Sequence, residues 1–295
     1  MTALILEGGG MRAAFTAGVL DYFIDKQLTF RNIICTSANT YSAITYLSEQ
    51  RKRTINLYLD FCKNKRYRPS AGILNGRGAG MESIRKDAAG QLPFNYAPYL
   101  KKDISMTTVA TNCLTGEAAY FSIDDLRADA NYAVEAAFRP LFSPVLEIDG
   151  IPYFDGAVTA PIPVDYGLKK GHKKYLFVLT EGRTYYKDKF PLLSLIQKKY
   201  RQYPRLIEAF ECQHIRYNQQ LEMAYCLERM GRALLLQPSN PAKINVFGKT
   251  PRKILDLYTE GYFTALKNYD TIKEFMEGKA KEKRFAYPSG KENTQ

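Results

Sequence analysis

The sequence predicts an α/β fold: a mainly parallel central sheet flanked by helices, with a helical region at the C-terminal end. Three observations predict it. The chain opens on a short apolar run, Ala3–Leu6, that stops at Gly8-Gly9-Gly10 and gives way to a helical period. A second apolar run, Arg31–Ser37, feeds a second helical pattern, Ala38–Leu47. A third, Lys174–Thr180, has the continuous apolar character of a strand buried on both faces. Strands alternating with helices indicate parallel pairing.

Taken in order, Ala3–Leu6 is the first strand, and from Met11 the residues Met11, Phe15, Gly18, Val19, Tyr22 and Phe23 share one helical face. Met106–Cys113 is rich in Thr and Val. Thr115-Gly116 makes a turn before Ala118–Ile123, so the two segments read as a hairpin or as neighbouring strands. Ile151–Phe154 is a further short strand. Beyond about residue 186, Leu192–Tyr203 and Arg205–Met230 read as helices punctuated by Pro204. Ala233–Gln237 reads as a strand and Pro251–Met276 as a last amphipathic helix. The expected division is an α/β core over 1–185, a helical extension over 186–277 and a frayed, polar tail over 278–295. Asp60–Leu100 is irregular, basic and long for a plain connection, which makes it a candidate cover over a binding groove.

Composition narrows the function. The chain has 295 residues, 45% hydrophobic and 24% charged, enough for a full core without metal or disulfide staples. No apolar run approaches the roughly 20 residues of a bilayer span. The opening MTALILEGGG lacks the basic n-region of a signal peptide. Cys35, Cys62, Cys113, Cys212 and Cys226 are odd in number and scattered, with no zinc or redox spacing. The expectation is a cytoplasmic protein with reduced thiols, no metal and no cofactor. The net charge of +12 is uneven, with +4 over 1–185 and +8 over 186–295. Together with Lys63-Asn64-Lys65-Arg66-Tyr67-Arg68, this predicts salt-sensitive, peripheral contact with an anionic membrane surface. A merely solvated surface is the plainer alternative. No nucleic-acid motif accompanies the charge, so no nucleic-acid partner is expected.

Three places can carry chemistry. At Gly8-Gly9-Gly10-Met11-Arg12, backbone N–H groups at a helix start can hold an anion. A P-loop would need a following Gly-Lys-Ser/Thr, and a dinucleotide site would need glycine where Ala13 stands. An oxyanion hole fits if a nucleophile lies nearby. At Cys35-Thr36-Ser37-Ala38-Asn39, Ser37 sits at a strand-to-helix junction, the place of a nucleophile elbow. The plainer reading of Ser37 is a helix N-cap. At Asp155-Gly156-Ala157, the aspartate ends a strand as a general base or simply as a turn residue. His172 would complete a Ser37–Asp155–His172 triad in chain order, but it lies in a lysine-rich turn. His214 lies on a helix among polar residues.

In order and spacing, these motifs resemble the patatin-like phospholipase family, whose signature is G-G-G-x-R-G, G-x-S-x-G and D-G-G/A. Leu6–Arg12 with Phe15–Val19 is similar to the bacterial family opening, and Thr111-Asn112 with Thr115-Gly116-Glu117 to its central hairpin. Arg139–Val145, Ile148–Ala157 and Ile162-Pro163-Val164 resemble its aspartate region. The resemblance covers roughly residues 1–185, and Tyr203-Pro204-Arg205 and His214–Asn218 are similar to one bacterial subgroup. It implies a lipid or other ester as substrate and a Ser–Asp dyad, with Ser37 as nucleophile and Asp155 as general base. It also implies an oxyanion hole from Gly8, Gly9 and Gly10 with Arg12 in support. Three positions depart from the pattern. Ala13 requires a negative φ. Cys35 and Asn39 replace the glycines that relieve crowding around the elbow, and Asn39 could sit beside the nucleophile and obstruct the acyl group. That departure keeps open a second expectation: a catalytically weakened member that binds lipid or a protein partner.

Overall fold

The computed structural model describes residues 1–63, 103–122, 145–239 and 250–279. The proposed cover over Asp60–Leu100 falls outside them from residue 64 onward, as do residues 139–144, residues 280–295 and most of the basic stretch after Lys63.

Five parallel strands form the centre of one sheet: β1 (Thr2–Leu6), β2 (Asn32–Thr36), β3 (Ser105–Asn112), β7 (Lys174–Val178) and β8 (Ala233–Leu236), in the order β3-β2-β1-β7-β8. Three antiparallel strands finish the β3 side: β4 (Ala118–Ser122), β5 (Leu146–Ile148) and β6 (Ile151–Asp155). The sheet is therefore mixed around a parallel core. The hairpin expected at Thr115-Gly116 joins β3 and β4.

Strand alternation divides the core into two layers. Leu4, Leu6, Ile33, Cys35, Met106, Leu176 and Val178 face helices α1 (Ala14–Asp25), α2 (Asn39–Leu47) and α3 (Arg53–Lys63). The same layer contains α8 (Pro251–Lys267) and α9 (Tyr269–Glu277). Ala3, Ile5, Ile34, Tyr175 and Phe177 face α4 (Val164–Lys169) and α7 (Gln213–Arg229) on the other side. Two shorter helices, α5 (Leu193–Lys199) and α6 (Pro204–Glu211), pack on Phe154 and Val158.

Several helix boundaries differ from the sequence expectation. Arg205–Met230 is two helices, α6 and α7, broken at Cys212. Pro251–Met276 is likewise broken, at Asn268, whose side-chain amide donates back to the Thr264 carbonyl at 2.8 Å. Such local bonding competes with the helix ladder. Neither break contains Pro or Gly, so neither carries the usual sequence mark. The first helical turn, Gly10–Ala13, is 3₁₀ before α1 begins.

The placement of the site follows from β3. One of its edges pairs with β4. Its other edge pairs with β2 as far as Thr36↔Val109, and then with β6 from Ala110↔Asp155 onward. Where β2 leaves the sheet, β6 arrives from the opposite direction. Ser37 and Asp155 are the two residues at that junction.

Candidate active site

Ser37 is the residue on which β2 turns into α2. Its φ is +57°, in the left-handed region that costs a non-glycine residue about 1–3 kcal/mol. The side chain does not cap the helix. Its Oγ donates to Asp155 Oδ2 at 2.6 Å, and α2 has no side-chain cap at its start. The N-cap reading of Ser37 is thus replaced, because the sharp turn aims the hydroxyl across the sheet edge instead of along the helix.

Asp155 ends β6 and opens a short 3₁₀ turn, Gly156–Val158. Its Oδ1 accepts from the Ala157 N–H at 2.7 Å, which fixes the carboxylate and leaves Oδ2 for Ser37. The Asp155 carbonyl accepts from Thr111 Oγ1 at 2.8 Å. Burial pushes the carboxyl up to about 7, against the opposing pull of the Ser37 and Ala157 hydrogen bonds. Gly156 is required here by close approach: a Cβ would fall 2.3 Å from the Val109 carbonyl oxygen.

The glycine turn meets the other two motifs at one point. A Cβ on Gly8 would lie 3.1 Å from both Ser37 Cβ and Thr36 Cγ2, and 3.2 Å from Ala157 Cβ. A Cβ on Gly9 would lie 2.6 Å from Thr180 Oγ1, and Gly10 has φ +55°. Among the described residues, the Gly9 and Gly10 N–H groups have no backbone acceptor. They precede a helix start with no acidic residue in its first turn, an arrangement that favours an anion. Ala13 has φ −61°, so the missing glycine leaves no strain.

Beneath the turn lies a buried charge network. Arg12 Nη1 pairs with Glu181 Oε1 at 2.9 Å. Glu7, fully buried, accepts from the Thr180 N–H at 2.6 Å and from the Tyr217 hydroxyl at 3.0 Å. Burial raises the Glu7 carboxyl above its ordinary range despite the nearby Arg12 charge and these two bonds. Arg12 was expected to support the turn. Glu7, Thr111, Glu181 and Tyr217 belong to none of the three sequence motifs, although a glutamate between an apolar strand and three glycines is an available signal.

The two elbow substitutions are corrected in their effect. Neither Cys35 nor Asn39 is among the residues of positive φ, so the strain is confined to Ser37. The Cys35 thiol lies on the far side of the strand, directed at the Thr107 carbonyl at 3.5 Å and Thr40 Oγ1 at 3.8 Å. Burial pushes it up to about 12, which leaves it inert. The Asn39 amide does not crowd the nucleophile. It donates to the Glu7 carbonyl at 2.5 Å and to Thr16 Oγ1 at 3.1 Å, bolting the start of α2 to the entrance of the glycine turn. Asn39→Gly is therefore expected to lower stability by about 2–3 kcal/mol, from the lost buried bonds and the helix glycine, without raising hydrolytic rate. Urea unfolding alongside an ester assay checks both parts. A faster, equally stable variant would restore the crowding account.

Neither histidine completes a triad by the contacts observed. His172 precedes β7, which is parallel to β1 and begins opposite Thr2. The site lies past Leu6↔Val178, about 16 Å further along the strands at about 3.3 Å per residue. Burial, then the N-terminal ammonium and Lys170, holds its imidazole below the usual value. His172→Ala is expected to leave ester hydrolysis within about twofold of wild type, since no reacting group is within reach of it. Loss of activity in a folded His172→Ala protein would revive the triad. His214 lies on α7, with no hydrogen-bond partner for Nδ1 among the described residues. Among the described residues no cluster of His, Cys, Asp or Glu could hold a metal, and no helix is long and apolar enough to cross a membrane.

The model of one family, Patatin-like phospholipase, matches residues 4–168, which contain all three motifs. A second, a domain of unknown function (DUF6363), matches residues 203–277. The uncharacterized protein YjjU of Escherichia coli (strain K12) is 25% identical over 241 residues. That match covers 70% of this chain and 64% of the relative, so this chain spans less than two thirds of that protein's length. Among solved structures, VipD from Legionella pneumophila aligns over 92% of this chain and 67% of its own, with TM-score 0.45 and 12% identity. With more than half its length matched, this chain belongs to the patatin-like phospholipase family.

Proposed function

We propose that the protein is a serine lipid acyl hydrolase that cleaves carboxylic ester bonds of phospholipids or related lipids through a Ser37–Asp155 dyad. The observation that carries this reading is the 2.6 Å hydrogen bond from Ser37 Oγ to Asp155 Oδ2, with the glycine turn packed against the same serine. Serine is a weak nucleophile until a neighbour takes its proton. In this mechanism Asp155 Oδ2 accepts the hydroxyl proton as Oγ attacks the ester carbonyl carbon. The oxygen that gains charge turns toward the Gly9 and Gly10 N–H groups, whose alignment is set before the reaction begins. As the intermediate collapses, Asp155 returns the proton to the departing alkoxide and an acyl-serine remains. A water molecule then repeats the sequence, and the fatty acid leaves. The network of Arg12, Glu181 and Glu7 holds the turn in place.

A carboxyl raised to about 7 is suited to this exchange, because a base of that strength accepts and returns a proton at neutral pH. The base form must be present for attack. The kcat/KM for p-nitrophenyl butyrate is thus expected to climb about tenfold per pH unit below about 7 and to level off above about 8. A limb centred near pH 4 would mean that Asp155 is not the titrating base.

The decisive experiment is labelling with a fluorophosphonate. Wild type is expected to take up the label on Ser37 and to hydrolyse short-chain esters, and Ser37→Ala to do neither. Failure of wild type in both assays would favour a member that binds lipid or a protein partner without turnover.

A further inference from the structure

The buried face of α7 is apolar from Leu221 onward, at Leu221, Ala224 and Leu227, but its first half is polar where a packed helix is normally apolar. Gln213, Tyr217 and Gln220, spaced three and four residues apart, are 8%, 2% and 6% exposed. Buried polar groups are costly unless hydrogen-bonded, so their partners indicate what the stripe is for. Gln213 Nε2 donates to the Ala157 carbonyl at 2.8 Å. The N–H of that same residue holds Asp155 Oδ1. Four residues on, the Tyr217 hydroxyl donates to Glu7 Oε1. Glu7 grips the Thr180 N–H through its other carboxylate oxygen, and its main-chain carbonyl takes the Asn39 amide. Gln220 Oε1 accepts from the Ile162 N–H at 3.0 Å, fixing the far end of the aspartate loop.

We infer that α7 is a positioning element for the hydrolytic site, holding the aspartate loop through Gln213 and Gln220 and the glycine turn through Tyr217. The inference rests on the hydrolase reading above. It gives a task to a helix inside the region that a domain of unknown function matches. The loop that carries the base and the turn that would carry the oxyanion come from opposite ends of the first 165 residues. One rigid helix spaces them against each other, and catalysis is sensitive to such spacing at the scale of about 1 Å.

The test compares Gln213→Met and Tyr217→Phe with wild type and with Gln219→Met, which lies on the exposed side of the same helix. Each inward-facing variant is expected to lower kcat for p-nitrophenyl butyrate about 10- to 100-fold with KM within about threefold. Gln219→Met is expected to match wild type. The groups acting on Asp155 are Ser37 and the Ala157 N–H. Gln213→Met loosens the second, because the Ala157 backbone loses the anchor that fixes its position beside the Asp155 carboxylate. Its pH–rate limb is therefore expected to move to higher pH, while that of Tyr217→Phe stays in place. Wild-type kcat in both folded variants overturns the inference. So does a fall in kcat that only tracks the unfolded fraction, with no movement of the limb. If Gln213→Met does not fold, Tyr217→Phe, which removes one oxygen atom, decides by its kcat alone. Wild type that neither hydrolyses esters nor labels at Ser37 removes the hydrolase reading itself, and this inference with it.

Discussion

Asp155→Asn is expected to abolish ester hydrolysis while raising thermal stability at pH 8. Asparagine has the shape of aspartate and can keep the Ala157 bond through its carbonyl oxygen. Its amide nitrogen would face Ser37 Oγ as a donor and cannot take the proton. Loss of rate on the order of 10³–10⁴ is expected, as in known serine hydrolases deprived of the carboxylate of the catalytic group. The stability change has the opposite direction. Burial raises the Asp155 carboxyl from an ordinary 3.8 to about 7 in the folded protein. Between those values the folded state holds a proton that the unfolded chain has released. Stability is thus full below about pH 4 and is lost as pH rises through 7. A shift of this size corresponds to at most about 4 kcal/mol, and partial exposure of the residue reduces it to roughly half. Asparagine does not ionise. The variant's Tm is therefore expected to match wild type near pH 4 and to exceed it by several degrees at pH 8. Glu7 and Asp21, whose carboxyls burial also raises, are present in both proteins and cancel in the comparison. Melting curves at pH 4, 6 and 8 check this. A Tm difference that does not change with pH would mean that Asp155 is not carried as a strained base.

The second large effect lies outside the site. Helices α1 and α8 approach so closely that each uses a glycine as its contact surface. A Cβ at Gly18 would fall 2.0 Å from the Tyr258 carbonyl oxygen and 2.7 Å from the Tyr262 nitrogen. One at Gly261 would fall 2.0 Å from the Phe15 carbonyl oxygen. The obstacles are backbone atoms, which cannot rotate aside, so the helices must part by more than 1 Å. Alanine normally favours a helix over glycine by about 1 kcal/mol. Here Gly18→Ala or Gly261→Ala is nevertheless expected to lower stability by about 3 kcal/mol, equivalent to a Tm loss of roughly 10 °C. Parting the helices would also strain the Tyr258 hydroxyl bond to Asp21, 2.7 Å long, and the Asp21 bond to the Lys52 N–H, 2.9 Å long. The double variant should cost little more than the worse single one, since the first methyl group already separates the pair. Urea denaturation of the three variants measures this directly, and an unchanged or raised midpoint would contradict it.

The legible part of this protein is the part written in local pattern. Glycine turn and serine elbow each stand at the end of a parallel strand, and a parallel sheet collects such ends on one edge. That was enough to bring Ser37 and Gly8 together; Asp155 ends an antiparallel strand, and only the pairing of β6 with β3 brings it to the serine. The roles of Cys35 and Asn39 were not legible, because their partners, Thr107 on β3 and Glu7 just past β1, come from other segments and only the fold brings them near. The α7 stripe was hidden for a related reason. Glutamine and tyrosine at helical spacing look like a solvent face until the loops they grip are in place. The helix breaks at Cys212 and Asn268 carry no proline or glycine to announce them.

The shared edge of β3 has a consequence for how this site tolerates change. Ser37 and Asp155 are 118 positions apart in sequence, yet each is located by counting along the backbone of a single strand, at Val109 and Ala110. Chain inserted or removed between the paired segments leaves that count untouched, so the connections on either side of β3 are free to diverge in length and content while the chemistry stays where it is. A single residue deleted within β3 or β6 is another matter. Side chains alternate with a period of two, so a one-step slip would turn the carboxylate to the opposite face of the sheet and leave the serine facing a backbone. Length is free to vary in those connections and fixed along this one ruler.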